Sequence, residues 1–213
     1  MADTQLVLWD WNGTLLDDVS LCLECLNLLL RRNGYPQQYD LTGYKQIFGF
    51  PIQEYYTRAG FDFTRHPYEE LAVQYMDHYI PHSESCPLMA GAEDVLRQVQ
   101  ALHIPQVILS ASPVELLREQ VMQRDVQGYF TQLLGLGDIY AHSKVELGVS
   151  FMERAGTPPE KAVLVGDSVH DFQVAQAMGS RCVLCAAGHQ SRAHLEATGA
   201  PVIDTLAELP ALL

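Results

Sequence analysis

Leu6-Val7-Leu8-Trp9-Asp10-Trp11-Asn12-Gly13-Thr14-Leu15-Leu16 is the stretch from which the fold of this chain can be read. A short apolar run containing Val7 and Leu8 reads as a buried strand, and it stops at a carboxylate followed by a glycine able to turn the chain. Asp10 therefore sits at the C-terminal tip of a strand. In an open α/β sheet the loops leaving the strand tips form the crevice where ligands bind.

Three later stretches answer the first. Ser110 follows the apolar run Val107-Ile108-Leu109, Lys144 stands at a helix start, and Asp167 with Asp171 follow Val163-Leu164-Val165-Gly166. Strands are expected at 106–109, 133–136, 162–165 and 182–185, with Val202-Ile203 as a short edge, and helical patterns fall between them. Such alternation implies right-handed crossovers and a parallel, doubly wound sheet. Ser112-Pro113-Val114-Glu115 and Ser143-Lys144-Val145-Glu146 read as capping boxes. The first predicts a helix N-terminus two residues after Ser110, with free N–H groups suited to an anion.

Between 17 and 85 no strand pattern occurs. Helices are expected over 19–31, stopped by Asn33-Gly34, and over 43–48, 52–59 and 67–79, with Pro81 and Pro87 marking the return. The aromatic stripe of Tyr68, Tyr75 and Tyr79 reads as packing. The division expected is an α/β core over 1–16 and 86–213, with an all-helical insertion over 17–85.

With 213 residues the chain can bury a substantial core. Its formal net charge of −13 argues against a nucleic-acid partner, which would be held by clustered Lys and Arg. No apolar run reaches membrane-span length and the first residues do not resemble a signal peptide, so a cytoplasmic monomer or homodimer with no membrane partner is expected. Cys22/Cys25 and Cys182/Cys185 have C-x-x-C spacing, but the first pair lies in a helical pattern and the second on a strand, whose alternation sends the two to opposite faces. Buried free thiols are the better reading.

In order and spacing, Asp10, Ser110, Lys144 and the pair Asp167/Asp171 resemble the motifs of the haloacid dehalogenase superfamily of aspartate-nucleophile phosphatases and phosphotransferases. The resemblance covers essentially the whole chain. It implies a Rossmann-like core, and the insertion matches the helical cap (C1 type) of the phosphoglycolate phosphatase-like branch, closing over a small phosphorylated metabolite. Within it Asp10 is the candidate nucleophile. Asp10, Asp167 and the main-chain carbonyl of Asn12 would hold Mg²⁺, with Asp171 binding through water or orienting Lys144. Ser110, the N–H of Ala111 and Lys144 would hold the phosphoryl oxygens. Lys45, Phe48, Tyr55 and Arg58, around Gly49-Phe50-Pro51, are candidates to face the substrate from the cap.

Asn12 departs from the pattern, which has Asp there as general acid and base. An amide does neither near neutral pH, and such catalysis contributes about 10² to 10⁴ in rate. Asp17, Asp18, His82 or a cap residue would have to substitute. Alternatively, the substrate has a leaving group that needs no protonation, the phosphoryl group passes to an acceptor, or the protein binds a phosphometabolite with little or no turnover. Dehalogenases of the superfamily carry Tyr at this position and need no metal, which the acidic pair argues against. Phosphonate hydrolases carry Ala there and use a cap lysine, for which Lys45 is the sole candidate between 17 and 85.

Overall fold

The computed structural model describes residues 3–137 and 144–213. Six strands form one parallel sheet, β1 (Leu6–Trp9), β2 (Gln106–Pro113), β3 (Gln132–Leu136), β4 (Ala162–Gly166), β5 (Arg181–Cys185) and β6 (Val202–Ile203), in the order β3-β2-β1-β4-β5-β6. β1 lies between β2 and β4 and is buried on both faces, as its unbroken apolar sequence requires. Its pleat divides the core. Val7 and Trp9 pack in one hydrophobic cluster with Val95 and Leu96 of α5 (Ala92–Ala101) and Leu117 of α6 (Val114–Gln123). Leu6 and Leu8 pack in another with Phe151 of α7 (Lys144–Ala155) and Val174 of α8 (Val169–Met178). The result is a three-layer α/β/α core, to which α9 (Arg192–Glu196) adds Leu195. The two buried tryptophans keep their indole N–H groups satisfied: Trp9 donates to Gln106 Oε1 at 3.0 Å and Trp11 to Gln120 Oε1 at 2.8 Å.

Segment 17–85 is helical: α1 (Val19–Arg32), α2 (Leu41–Ile47), α3 (Ile52–Ala59) and α4 (Tyr68–Ser83). These helices build a third hydrophobic cluster of their own from Leu26, Leu29, Tyr44, Tyr55, Tyr56 and Leu71, among others, joined by Leu116 of α6.

Several local expectations need correction. Pro81 lies inside α4, not in the return from it, because α4 runs four residues past the expected end. Leu102, which continues the helical spacing of Val95, Leu96 and Val99, is the exposed C-terminal cap residue of α5. Ser112 does not cap α6. The strand continues to Pro113 and the helix opens four residues after Ser110, while the Ser112 hydroxyl donates to Asn12 Oδ1 at 2.6 Å. The proposed cap Ser143 lies outside the described residues. Cys182 and Cys185 do fall in opposite clusters, and all five cysteines are free.

Candidate active site

The C-terminal tips of the central strands converge on one cavity of about 170 Å³. Asp10 leaves β1, and its main-chain N–H donates to Val165 O of β4, fixing the two tips side by side. Ser110 lies in β2 where the pairing with β3 shifts register between Leu109 and Pro113, so residues 110–112 leave the ladder and turn toward the cavity. Asp167 follows β4 directly, and His189 stands in the loop after β5.

Lys144, at the first position of α7, is almost wholly buried, with 3% of its surface exposed. It donates to Asp10 Oδ1 at 2.5 Å and to Asp171 Oδ1 at 2.6 Å. Burial alone would lower its pKa. The paired carboxylates Asp10 and Asp171 outweigh that, and the ammonium is held protonated. Asp171 is the third residue of α8, in a capping box with Ser168. Its Oδ2 accepts from the Ser168 hydroxyl and from the main-chain N–H groups of Asp167 and Ser168. With both oxygens engaged, Asp171 holds Lys144 and the helix start together, and its pKa falls, the Lys144 charge prevailing over burial.

Asp10 and Asp167 are different. Burial pushes Asp10 up to about 6, despite the opposing pull of Lys144, and pushes Asp167 up to about 7, despite the nearby charge of His189. One carboxylate oxygen from each of Asp10, Asp167 and Asp171 lies within 4.8 Å of the others. This crowding of hard oxygen donors fits a divalent cation, which would let Asp10 and Asp167 ionise together. The Asn12 carbonyl accepts none of the backbone hydrogen bonds among the described residues, leaving it open as a further donor. The packing around Asp167 is tight. A Cβ at Gly13, where φ is +72°, would lie 2.3 Å from Asp167 Oδ2, and one at Gly188 would lie 2.1 Å from the same atom.

Asn12 sits in a network that the sequence did not disclose. Its Oδ1 accepts from Ser112, whose main-chain N–H donates to Ser110 Oγ at 3.0 Å. Its Nδ2 donates to Asp18 Oδ2 at 2.8 Å and to the Tyr79 hydroxyl at 2.7 Å. Tyr79 in turn donates to the same Asp18 oxygen at 2.7 Å. Asp18 Oδ1 accepts from the Gly13 N–H at 3.0 Å and faces His189 Nε2 at 3.2 Å. His189 is 3% exposed; burial would lower its pKa, but the Asp18 carboxylate raises it to about 9. The imidazolium charge likewise holds Asp18 below the usual carboxylate range against its own burial. Nδ1 of His189 bonds the Tyr44 hydroxyl at 2.8 Å, its main-chain N–H donates to Asp167 Oδ2, and its ring stacks on Phe48 at 4.6 Å.

Of the residues singled out from sequence, Asp10, Asn12, Ser110, Ala111, Lys144, Asp167 and Asp171 all line the cavity, as do Phe48 and Tyr55. Lys45 and Arg58 do not. Lys45 Nζ donates to the carbonyls of Ala186 and Ala187 at 3.4 and 3.1 Å, and the exposed Arg58 donates to Ile47 O and pairs with Glu54. Asp17 and His82 line a separate outer depression, so of the three chain-adjacent groups considered only Asp18 reaches Asn12. Sequence reasoning missed His189. The signal available was its place in the loop after the tip of β5, one strand beyond the last one searched for polar groups.

A parallel α/β core whose strand tips gather a buried lysine and three carboxylates beneath a helical segment defines an enzyme of the hydrolase type. The chain belongs to the haloacid dehalogenase-like hydrolase family, whose sequence profile matches residues 7–185. A phosphoglycolate phosphatase from Pseudomonas savastanoi pv. phaseolicola is 26% identical over 219 residues, covering 96% of this chain and 78% of the relative. Among solved structures, a haloacid dehalogenase-like family hydrolase from Streptococcus pneumoniae superposes with a TM-score of 0.84 at 17% identity, covering 100% of this chain and 99% of the other. A structure described as a predicted phosphatase from Clostridium acetobutylicum gives 0.82 at 20% identity, covering 98% and 97%. At those identities the structures establish a shared fold.

Proposed function

We propose that the protein is a Mg²⁺-dependent phosphohydrolase acting on a small phosphorylated metabolite through an aspartyl phosphate on Asp10. The observation that carries this reading is the convergence of Asp10, Asp167 and Lys144 in one buried cavity at the strand tips. The names of the curated relatives agree with it. Helices α1–α4 act as the cap, supplying the aromatic side of the cavity.

Phosphate monoesters resist attack because their own charge repels nucleophiles, and the remedy is positioned positive charge and donors. Mg²⁺ held by Asp10, Asp167 and the Asn12 carbonyl would supply part of that charge. Lys144 supplies the rest from the protein, and the Ser110 hydroxyl and Ala111 N–H orient the phosphoryl oxygens. An Asp10 carboxylate oxygen attacks phosphorus, the phosphorus–oxygen bond to the organic group breaks, and the departing oxygen takes its proton from water, since the N–H of the Asn12 amide is too weak an acid to give one. Water then attacks the acyl phosphate, returning Asp10 and releasing inorganic phosphate.

The amide at position 12 favours a second reading, a phosphometabolite-binding protein or a phosphotransferase that holds the phosphoenzyme. Release of phosphate from a panel of alkyl, aryl and acyl phosphates, with and without Mg²⁺, separates the readings. Turnover that needs the cation and disappears in Asp10→Asn supports the phosphohydrolase. Ligand binding without release, or a phosphoenzyme that persists until an acceptor is added, supports the second reading.

A further inference from the structure

We infer that the cavity selects a phosphate monoester whose organic part is small, apolar and uncharged, and discriminates against carboxylated substrates such as phosphoglycolate. This deepens the phosphohydrolase reading and rests on it for the reaction, but not for the selectivity.

The reason lies in which cations the cavity has and what they already do. Among the described lining residues only Lys144 and His189 are cationic. Lys144 Nζ is held between the carboxylates of Asp10 and Asp171. Both ring nitrogens of His189 are engaged, one with Asp18 and the other with Tyr44. Against these two positive charges stand four lining carboxylates, those of Asp10, Asp18, Asp167 and Asp171. A phosphoryl group can be accepted at the strand tips, where the cation site lies. Among the described residues a second anionic group on the same substrate finds no uncommitted cation in the cavity lining, and the basic residues of α2 and α3, Lys45 and Arg58, bond main-chain carbonyls outside it.

The remaining wall is apolar and aromatic: Phe48, Ile52, Tyr75, Met76 and Leu116 all face the same space. A charged group placed there would lose its hydration with nothing to replace it, whereas a ring or alkyl chain would gain by leaving water. The cavity volume, about 170 Å³, has to hold the phosphoryl group and the organic part together, so the organic part is small. The tyrosines of the wall offer neutral polar handles. Tyr55 lines the cavity and its hydroxyl is buried without a hydrogen-bond partner among the described residues. A phenol can satisfy a neutral donor or acceptor on the ligand, but it cannot neutralise a carboxylate.

The test compares ligands that share the phosphoryl end. In the presence of Mg²⁺, calorimetry measures the affinity of 2-phenylethylphosphonate and of 3-phosphonopropionate, the non-hydrolysable counterparts of benzyl phosphate and phosphoglycolate. In parallel, kcat/KM is measured for the two esters, and the affinities are repeated on Met76→Arg. The expected result is at least a tenfold preference for the aromatic member in binding and in kcat/KM, narrowed or reversed by the arginine. Equal affinities, a preference for the carboxylated member, or no binding of either phosphonate overturns the inference. If phosphoglycolate is hydrolysed faster, the phosphohydrolase reading survives and the selectivity falls. If neither ester turns over but the aromatic phosphonate binds preferentially, the selectivity stands and the phosphohydrolase reading falls.

Discussion

The Asn12 amide donates to Asp18 Oδ2 across 2.8 Å, while Tyr79, His189 and the Gly13 main-chain N–H also bond that carboxylate. Asn12 is therefore matched to its neighbour, and a carboxylate at position 12 would face another at hydrogen-bonding distance. Two such groups cannot both ionise without cost. Asn12→Asp is expected to lower stability by about 1–3 kcal/mol at pH 8, the scale of a buried polar group deprived of its partner, and by less at pH 5, where the pair can share a proton. Asn12→Asp combined with Asp18→Asn, which exchanges donor and acceptor, should recover most of the loss. Thermal unfolding of the three variants at the two pH values checks this, and a double variant no better than the single one would contradict the pairing.

His189 gives the fold a basic-side pH dependence. Its folded pKa of about 9 lies above the ordinary 6.5, so its pairing with Asp18 stabilises fully below pH 6.5 and the contribution is lost as pH rises through 9. The unfolding temperature of the protein should fall more between pH 6.5 and 9.5 than that of His189→Gln. Parallel curves for the two would remove the ion pair from the account.

Asp10 and Asp167 act in the same direction, over a more acidic interval. Their folded values, about 6 and 7, lie above the ordinary 3.8, so the folded state binds more protons and stability in the absence of a divalent cation falls as pH rises from about 4 to 7. Mg²⁺ held by the ionised pair, as proposed, should stabilise the fold increasingly over the same interval. Calorimetric unfolding at pH 5 and 8, with Mg²⁺ or with a chelator, measures both trends. An equal Mg²⁺ effect at the two pH values would place the cation elsewhere.

Lys144→Met leaves Asp10 and Asp171 buried against each other without their shared counter-charge. Breaking a buried pair in this way costs about 3–5 kcal/mol. Because added Mg²⁺ partly replaces the lost charge, the variant should be stabilised by the cation more than the parent is. A variant as stable as the parent, with no greater response to Mg²⁺, would show that Lys144 is not the neutralising group.

Much of this was legible along the chain, because strand tips announce themselves. Asp10, Ser110 and Asp167 each follow an apolar run that must be a buried strand, and a parallel sheet brings such tips together whatever the loops do. What stayed hidden depended on side-chain choices that no local pattern records. Ser112 had the spacing of a helix cap yet turned to Asn12, since the strand ran further than its apolar run. Lys45 and Arg58 had the right charge in the right segment, but each found carbonyls closer than the cavity. Asp18 looked like any residue at the head of a helix until Tyr79, 61 residues on, and His189, 171 residues on, closed around it.

The stacking of Phe48 on His189 links two things an evolving enzyme would want to vary independently. Phe48 belongs to the wall that meets the organic part of a ligand, while the main-chain N–H of His189 grips Asp167. Between that wall and Asp167, the candidate cation ligand, stands a single residue, His189. A lineage that reshaped the wall at Phe48 would disturb the hold on Asp167 in the same step. Drift toward new ligands by this route is therefore constrained, and freer positions are wall residues without a ring stacked on His189, such as Ile52 of α3 and Met76 of α4.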